Sequence, residues 1–146
     1  MTASDYWSRQ RAIVTAGASG IGLAIATALH RAGASVWICD IAEQHLTSAS
    51  KALPGIGTMI CDVSDPAAAA DFVAQAADAM GGLDIVVNNA GIAGPAAPLE
   101  EISTEDWTKT FAVNVHGQFY IARASIPHLK QAGAGSMICM ASVAGK

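Results

Sequence analysis

The residues of this 146-residue chain that could do chemistry fall into six short groups. The first is the turn Thr15-Ala16-Gly17-Ala18-Ser19-Gly20-Ile21-Gly22. It follows an apolar run, Ala12-Ile13-Val14, and leads into Leu23-Ala24-Ile25-Ala26-Thr27-Ala28-Leu29. A glycine-rich turn between a strand and a helix lets backbone N–H groups close on an anion that also feels the helix N-terminus. The pyrophosphate of a dinucleotide is the natural ligand, and Ala16, Gly17, Ser19, Gly20, Ile21 and Gly22 are the residues placed to hold it. The glycines run G-x-x-G-x-G, so the usual G-x-G-x-x-G spacing is not matched literally.

Asp40 closes a second apolar run, eighteen residues after Gly22. A carboxylate there accepts hydrogen bonds from both ribose hydroxyls of an adenosine and repels a 2′-phosphate. Ile41 follows it and Ser19 lies in the turn, so no basic residue is near to neutralise that phosphate; NAD is expected over NADP. A plain helix cap is the structural alternative for Asp40. Asp62 is placed to hold an adenine edge with the backbone of Val63 beside it, and serves equally well as a turn or cap residue. Asn88-Asn89-Ala90-Gly91 sets two amides, which need partners when buried, before small residues; Asn89, Ala90 and Gly91 could lie against a ribose. Asn114, a poor helix former inside a helical stretch, marks a local break that aims an amide into the cleft. Ser142 ends the last strand, beside the expected nicotinamide position.

The elements that must position these residues alternate. Strands are expected at Ala12–Val14, Ser35–Cys39, Thr58–Cys61, Asp84–Val87 and Ser136–Met140. Helices are expected from the glycine turn to Gly33, from Ala42 to Leu53, from Pro66 to Met80 after a Ser64 or Asp65 cap, and from about Asp106 to Gln131 after Ser103. Short apolar strands alternating with helices imply a parallel sheet with right-handed crossovers and helices on both faces. Ligands on such sheets gather at the carboxyl ends of the strands, where Asp40, Asp62, Asn88, Asn89 and Ser142 all fall.

Composition narrows the function classes. The chain is 52% hydrophobic and 14% charged, suits one domain, and has no apolar run long enough to span a membrane. Its start, Met1-Thr2-Ala3-Ser4-Asp5, leads into no signal-peptide core, so a cytoplasmic protein is expected. A net charge of −4 without a Lys/Arg cluster argues against a nucleic-acid partner. Cys39, Cys61 and Cys139 read as small buried hydrophobes in a reducing compartment. With His30, His45, His116 and His128 scattered, no metal site is expected. Met59, Met80, Met137 and Met140 read as core filling, and Trp107 and Phe111 as a packed pair on one helix face.

Taken together, these motifs resemble the short-chain dehydrogenase/reductase family, over the whole length after about Arg11. The family's T-G-x-x-x-G-x-G turn falls on Thr15 to Gly22, its acidic residue after the second strand on Asp40, and N-N-A-G on Asn88 to Gly91. Its N-V-x-G falls on Asn114-Val115-His116-Gly117, and its strand-closing serine on Ser142. The resemblance implies an α/β fold, a Rossmann-type doubly wound parallel sheet truncated after the fifth strand. An N-terminal segment, 1–10, would precede an NAD-binding domain, 11–146. It implies hydride transfer between nicotinamide and a small-molecule secondary alcohol or ketone (a sugar or polyol, a 3-oxoacyl group or similar). Ser142 would hydrogen-bond the substrate oxygen, Asn114 would anchor a water in a proton relay, and the full-length form would be a homo-oligomer.

Two departures stand out. The family's first turn glycine is Ala16 here, tolerable if its φ is negative. The family's Tyr-x-x-x-Lys, due about a dozen residues after the serine, occurs nowhere; the tyrosines are Tyr6 and Tyr120. The alternative reading is a non-catalytic dinucleotide-binding module or degenerate relative. An S-adenosylmethionine methyltransferase accounts for neither Asn88–Gly91 nor Ser142. The simplest reading is an N-terminal fragment of a longer enzyme; if the chain really ended at Lys146, its fifth strand would be an uncovered apolar edge. The isolated chain is then expected to be poorly soluble or partly unfolded. Size-exclusion chromatography and thermal melting check this; a monodisperse preparation that melts cooperatively contradicts it.

Overall fold

A computed structural model of the chain describes residues 3–142. Met1, Thr2 and residues 143–146, which include Gly145 and Lys146, lie outside the described residues. Five strands form one parallel sheet in the order β3-β2-β1-β4-β5. They are β1 (Arg11–Thr15), β2 (Ser35–Asp40), β3 (Gly57–Ile60), β4 (Ile85–Asn88) and β5 (Ser136–Cys139). In β1, Ile13 sits beside Trp37 of β2 and Val86 of β4. Alternate residues serve opposite faces, as the two-residue period of a strand requires. Ala12 and Val14 enter a cluster with Ala26, Ile38 and Leu46, whereas Ile13 enters one with Phe72, Val73 and Ile121. A sheet buried on both sides is what made the strand sequences continuous apolar runs.

The first face is covered by α2 (Gly20–Ala32) and α3 (Glu43–Ala52), the second by α4 (Pro66–Met80) and α6 (Gln118–Ala132). Their ends follow local chemistry. Gly33 terminates α2 at φ +106, a left-handed value that suits glycine. Asp65 caps α4 by accepting hydrogen bonds from the Ala67 and Ala68 N–H groups, with Pro66 at the first helical position. Ser103 accepts the Asp106 N–H at 3.0 Å and starts α5 (Thr104–Phe111).

Four expectations are corrected. The single long helix is three pieces: α5, a wide π-helical turn over Ala112–Gly117, and α6. The chain does not break at Asn114; it stays helical with a wider turn. Cys139 is exposed, because β5 is an edge strand and Cys139 lies opposite Asn88 at the sheet's open carboxyl end. Cys61 and Met140 fall just outside their strands. Beyond these four, the N-terminal segment, for which no element was expected, carries a short helix, α1 (Ala3–Trp7), whose Trp7 packs on the core.

At the amino end of the sheet, Arg11 grips Asp84 through Nε to Oδ2 at 2.7 Å and Nη2 to Oδ1 at 2.9 Å. The Arg11 N–H also donates to that carboxylate, and the Asp84 N–H donates to the Arg11 carbonyl. This forked pairing ties the starts of β1 and β4. The Arg11 hydrogen bond holds the Asp84 carboxyl below its ordinary range despite partial burial. A folded-state value below the unfolded one stabilises the fold above the unfolded pKa of about 3.9, and the gain is lost as pH falls through the folded value. Asp84→Asn is therefore expected to cost about 1–3 kcal/mol at pH 7, towards the lower figure because Arg11 is partly exposed to screening solvent. Urea melts should show the gap between wild type and variant closing below about pH 4; a gap unchanged by acid would contradict this account.

Candidate functional site

The strand order reverses between β1 and β4, and there the two motif-bearing turns meet. Thr15 ends β1 with its side chain buried. Its Oγ1 accepts the Asn89 N–H at 3.0 Å and the Ala90 N–H at 2.9 Å. In return the Asn89 side-chain Nδ2 donates to the carbonyls of Thr15 and Ala16, at 3.1 and 3.2 Å. Gly22 sits under this knot: a Cβ there would collide with the Ala16 carbonyl oxygen and the Asn89 amide. Gly17 has the same constraint against Ile38, and its N–H donates to the Cys39 carbonyl at 2.9 Å. Ser19 is extended and its side chain does not cap α2. The first-turn N–H groups, which have no partner within a helix, thus face the carboxyl edge of the sheet.

Ala16 has φ +47 and is the one non-glycine residue with positive φ among those described. The negative φ that would make alanine comfortable there is not adopted. An L-residue in this region is strained by roughly 1–2 kcal/mol.

Two hollows that share Ala90, Gly91 and Ile92 lie along this edge. The first, of about 180 Å³, is lined by Ala16, Ser19, Asp40, Cys61, Asp62 and Val63 on one side and by Ala90, Gly91 and Ile92 on the other. Asp40 is buried and does not cap α3, whose N-cap is Ala42. Its Oδ2 accepts the Ala18 N–H at 3.3 Å and its Oδ1 the Ala42 N–H at 3.1 Å. Each oxygen keeps a second lone pair. Asp62 Oδ1 accepts both the N–H and the hydroxyl of Ser64, forming a local turn.

The second hollow, of about 510 Å³, shares Ala90, Gly91 and Ile92 and extends to Ile21, Asn89, Asn114, Gln118, Met140 and Ser142. Asn114 is held by a two-way clamp: its Oδ1 accepts the Ile92 N–H and its Nδ2 donates to the Ile92 carbonyl, both at 2.8 Å. The π turn places Gly117 against Val63, where a Cβ would not fit, so the helix closes on the loop after β3.

The structure thus brings Ala16, Ser19, Ile21, Asp40, Asp62, Val63, Asn89, Ala90, Gly91, Asn114 and Ser142 to one groove. Gly17 and Gly22 support its floor. Gly20 instead lines a hollow on the outer side of α2. Sequence reasoning missed Gln118, whose Nε2 donates to the Met140 carbonyl at 3.1 Å and pins the end of β5. It also missed Cys61, which spacing alone does not separate from a core residue.

Among the described residues no group of three potential ligands is placed to hold a metal, and no helix is long and apolar enough to cross a membrane. The family model for short chain dehydrogenases matches residues 10–146. The chain belongs to that family. It is 36% identical over 140 residues to D-beta-hydroxybutyrate dehydrogenase of Rhizobium meliloti (strain 1021), covering 92% of this chain and 54% of the relative. It is 34% identical over 135 residues to 2-dehydro-3-deoxy-L-rhamnonate dehydrogenase (NAD(+)) of Sphingomonas sp. (strain SKA58), covering 92% and 54%. It is 40% identical over 140 residues to D-threitol dehydrogenase of Mycolicibacterium smegmatis, covering 91% and 52%. This short-chain dehydrogenase chain spans about half the length of these curated relatives.

Relief of the Ala16 strain is directly measurable. Ala16→Gly is expected to raise stability by about 1 kcal/mol, the usual scale when glycine takes over a left-handed position. Thermal melting checks it, and a lowered midpoint would mean that the positive φ carries no strain.

Proposed function

We propose that the longer protein is an NAD-dependent oxidoreductase that moves a hydride between nicotinamide and a secondary alcohol or ketone. This chain supplies the cofactor half of its site. One observation carries the reading: two adjoining hollows that share Ala90, Gly91 and Ile92 have a buried carboxylate in one and Asn114 and Ser142 in the other. The residues fit a dinucleotide. Open N–H groups at the start of α2 and the cradle over Gly22 suit a pyrophosphate. The spare lone pairs of Asp40 suit a ribose diol. When bound, the nicotinamide supplies hydride chemistry.

The chain's own residues do the rest. Asn89 and Thr15 keep the two turns in register beneath the ribose. Asn114 fixes the Ile92 backbone beside the second hollow and, by the family pattern, anchors a relay water. Ser142 orients the substrate oxygen there. The Tyr-x-x-x-Lys pair that completes such a site has no counterpart in these 146 residues, so the proton exchange belongs to the remainder of the longer protein. A small polyol or hydroxy acid is the substrate class, supported by relatives named for threitol and hydroxybutyrate. The reading includes a cytoplasmic location, supported by three free cysteines. It also includes self-association, supported by exposed Val115, Phe119 and Ile126 along the π turn and α6.

Asp40 decides the cofactor. A 2′-phosphate would meet a carboxylate already fixed by two N–H groups, with Ile41 and Ala16 beside it and no cation among the lining residues. Like-charge juxtaposition costs several kcal/mol, so NAD is expected to bind on the order of 10²-fold tighter than NADP. Calorimetric titration of both cofactors checks this, with Asp40→Ala expected to abolish most of the preference. Equal affinities in the unmodified protein would sink the assignment.

A further inference from the structure

The ladder between β4 and β5 stops one bond short, and the reason lies in the knot at Thr15. In a parallel pair, every second residue of a strand donates its N–H to one neighbouring residue and accepts from the residue two further along. The Ser136 N–H donates to the Asp84 carbonyl at 2.8 Å and the Met140 N–H to the Asn88 carbonyl at 2.9 Å. Ile85 lies opposite Ser136 and Val87 opposite Ile138. In that register the next bond would run from the Ala90 N–H to the Met140 carbonyl. The Ala90 N–H instead donates to Thr15 Oγ1, at 2.9 Å. The chain after β4 is thus drawn towards β1, and the Met140 carbonyl loses its ladder donor. A carbonyl left open in a partly buried place needs another partner.

Gln118 is that partner. Its Nε2 donates to the Met140 carbonyl at 3.1 Å, and its own carbonyl accepts Asn88 Nδ2 at 3.3 Å. With the Met140 N–H on the Asn88 carbonyl, the three residues form a closed cycle in which each donates to the next. The cycle joins the end of β4, the start of α6 and the end of β5. It is rooted in the sheet, because Asn88 is buried and its Nδ2 also reaches Cys139 Sγ at 3.9 Å. Gln118 directly follows the wide turn that carries Asn114, and Met140 precedes Ser142 by two residues. Asn114, Gln118, Met140 and Ser142 all line the 510 Å³ hollow.

We propose that Gln118 is a positioning residue for the reaction: its side chain stands in for the missing ladder donor and sets Ser142 at a fixed place across the second hollow from Asn114. This rests on the oxidoreductase reading above, which gives Ser142 a substrate oxygen to hold. Gln118 exchanges neither proton nor hydride. It acts through the Met140 backbone, and two peptide units carry any shift there to the serine hydroxyl. Misplacing an orienting group by about 1 Å costs on the order of 10²-fold in rate. The hollow that contains Asp40 is not lined by Gln118, so the adenosine half of the cofactor is held independently of it.

The test compares two variants. Gln118→Met keeps nearly the length and volume of the side chain and donates no hydrogen bond. Gln118→Glu donates to the Met140 carbonyl only while the new carboxyl is protonated, a form the bond favours, so its pKa stands above the ordinary value of about 4.3. The longer protein is assayed with NAD and with D-threitol and D-beta-hydroxybutyrate as probes. Gln118→Met is expected to lower kcat by about tenfold or more and to leave the KM for NAD within about twofold. Hydrogen-exchange mass spectrometry should show the segment 140–142 exchanging about tenfold faster, with the β1 segment unchanged. Relative to the unmodified protein at the same pH, Gln118→Glu should exchange as Gln118→Met does at about pH 7 and regain protection at about pH 5.

An unchanged kcat in Gln118→Met overturns the proposal. So does a loss of kcat matched by an equal rise in the KM for NAD, which marks a general loosening of the fold. If the unmodified protein oxidises neither probe, the polyol or hydroxy-acid reading fails on its own, and exchange still decides the positioning: no acceleration at 140–142 sinks it. If Gln118→Met does not fold, Gln118→Glu decides, and equal protection at both pH values counts against the proposal.

Discussion

The knot between Thr15 and Asn89 is the constraint on which the rest of the site depends. Four hydrogen bonds cross from the end of β1 to the end of β4, two into one hydroxyl and two out of one amide. They satisfy backbone groups that the two turns would otherwise leave unpaired in a buried place. They also set the separation of the glycine turn from the loop carrying Ala90 and Gly91, and so the width of the groove. The small residues around the knot follow from it. Any side chain on Gly22 would be driven into the Ala16 carbonyl, and Ala16 itself is bent into a left-handed conformation to make the turn.

The two ends of the sheet are built on opposite electrostatic plans. At the amino end the Arg11–Asp84 fork neutralises its own charge, and the main chain of both residues is drawn into the same pairing. At the carboxyl end, among the described residues, Asp40 and Asp62 meet backbone N–H groups and one serine hydroxyl and no cation. Carboxylates so held stay acceptors without a counter-ion. They suit a ligand that brings hydroxyl and amino donors and disfavour one that brings another anion. The charge pairing that ties β1 to β4 thus lies at the end of the sheet away from the groove.

Most of this organisation was legible in the residues themselves. Asp65-Pro66, Ser103 with Asp106, and Gly33 each carry stop or start chemistry that acts over one turn, so element order followed from local rules. The apolar runs were continuous because both faces of the sheet are buried. What escaped detection depended on contacts distant in the chain. The exposure of Cys139 follows from β5 lying at the edge. The positive φ of Ala16 follows from closing the turn onto Asn89. The five residues of α1 are too few for a periodic signal. Asn114 was flagged by its poor propensity, yet whether a helix breaks or widens there depends on the grip of Ile92 on its amide. Gln118 gave no signal because its role is a bond to the Met140 carbonyl.

The wide turn at Ala112–Gly117 also governs orientation. An extra residue in one turn of helix rotates everything after it by about 100° relative to everything before it. Accordingly α5 buries none of its side chains, its Trp107 and Phe111 stacked against each other at 4.8 Å, while α6 buries Ile121 and Ser125 against the sheet and α4. The two segments do not present the same face. A periodicity traced through both would assign inside and outside wrongly on one side of Asn114, and each segment is free to change its outward-facing residues without reference to the other.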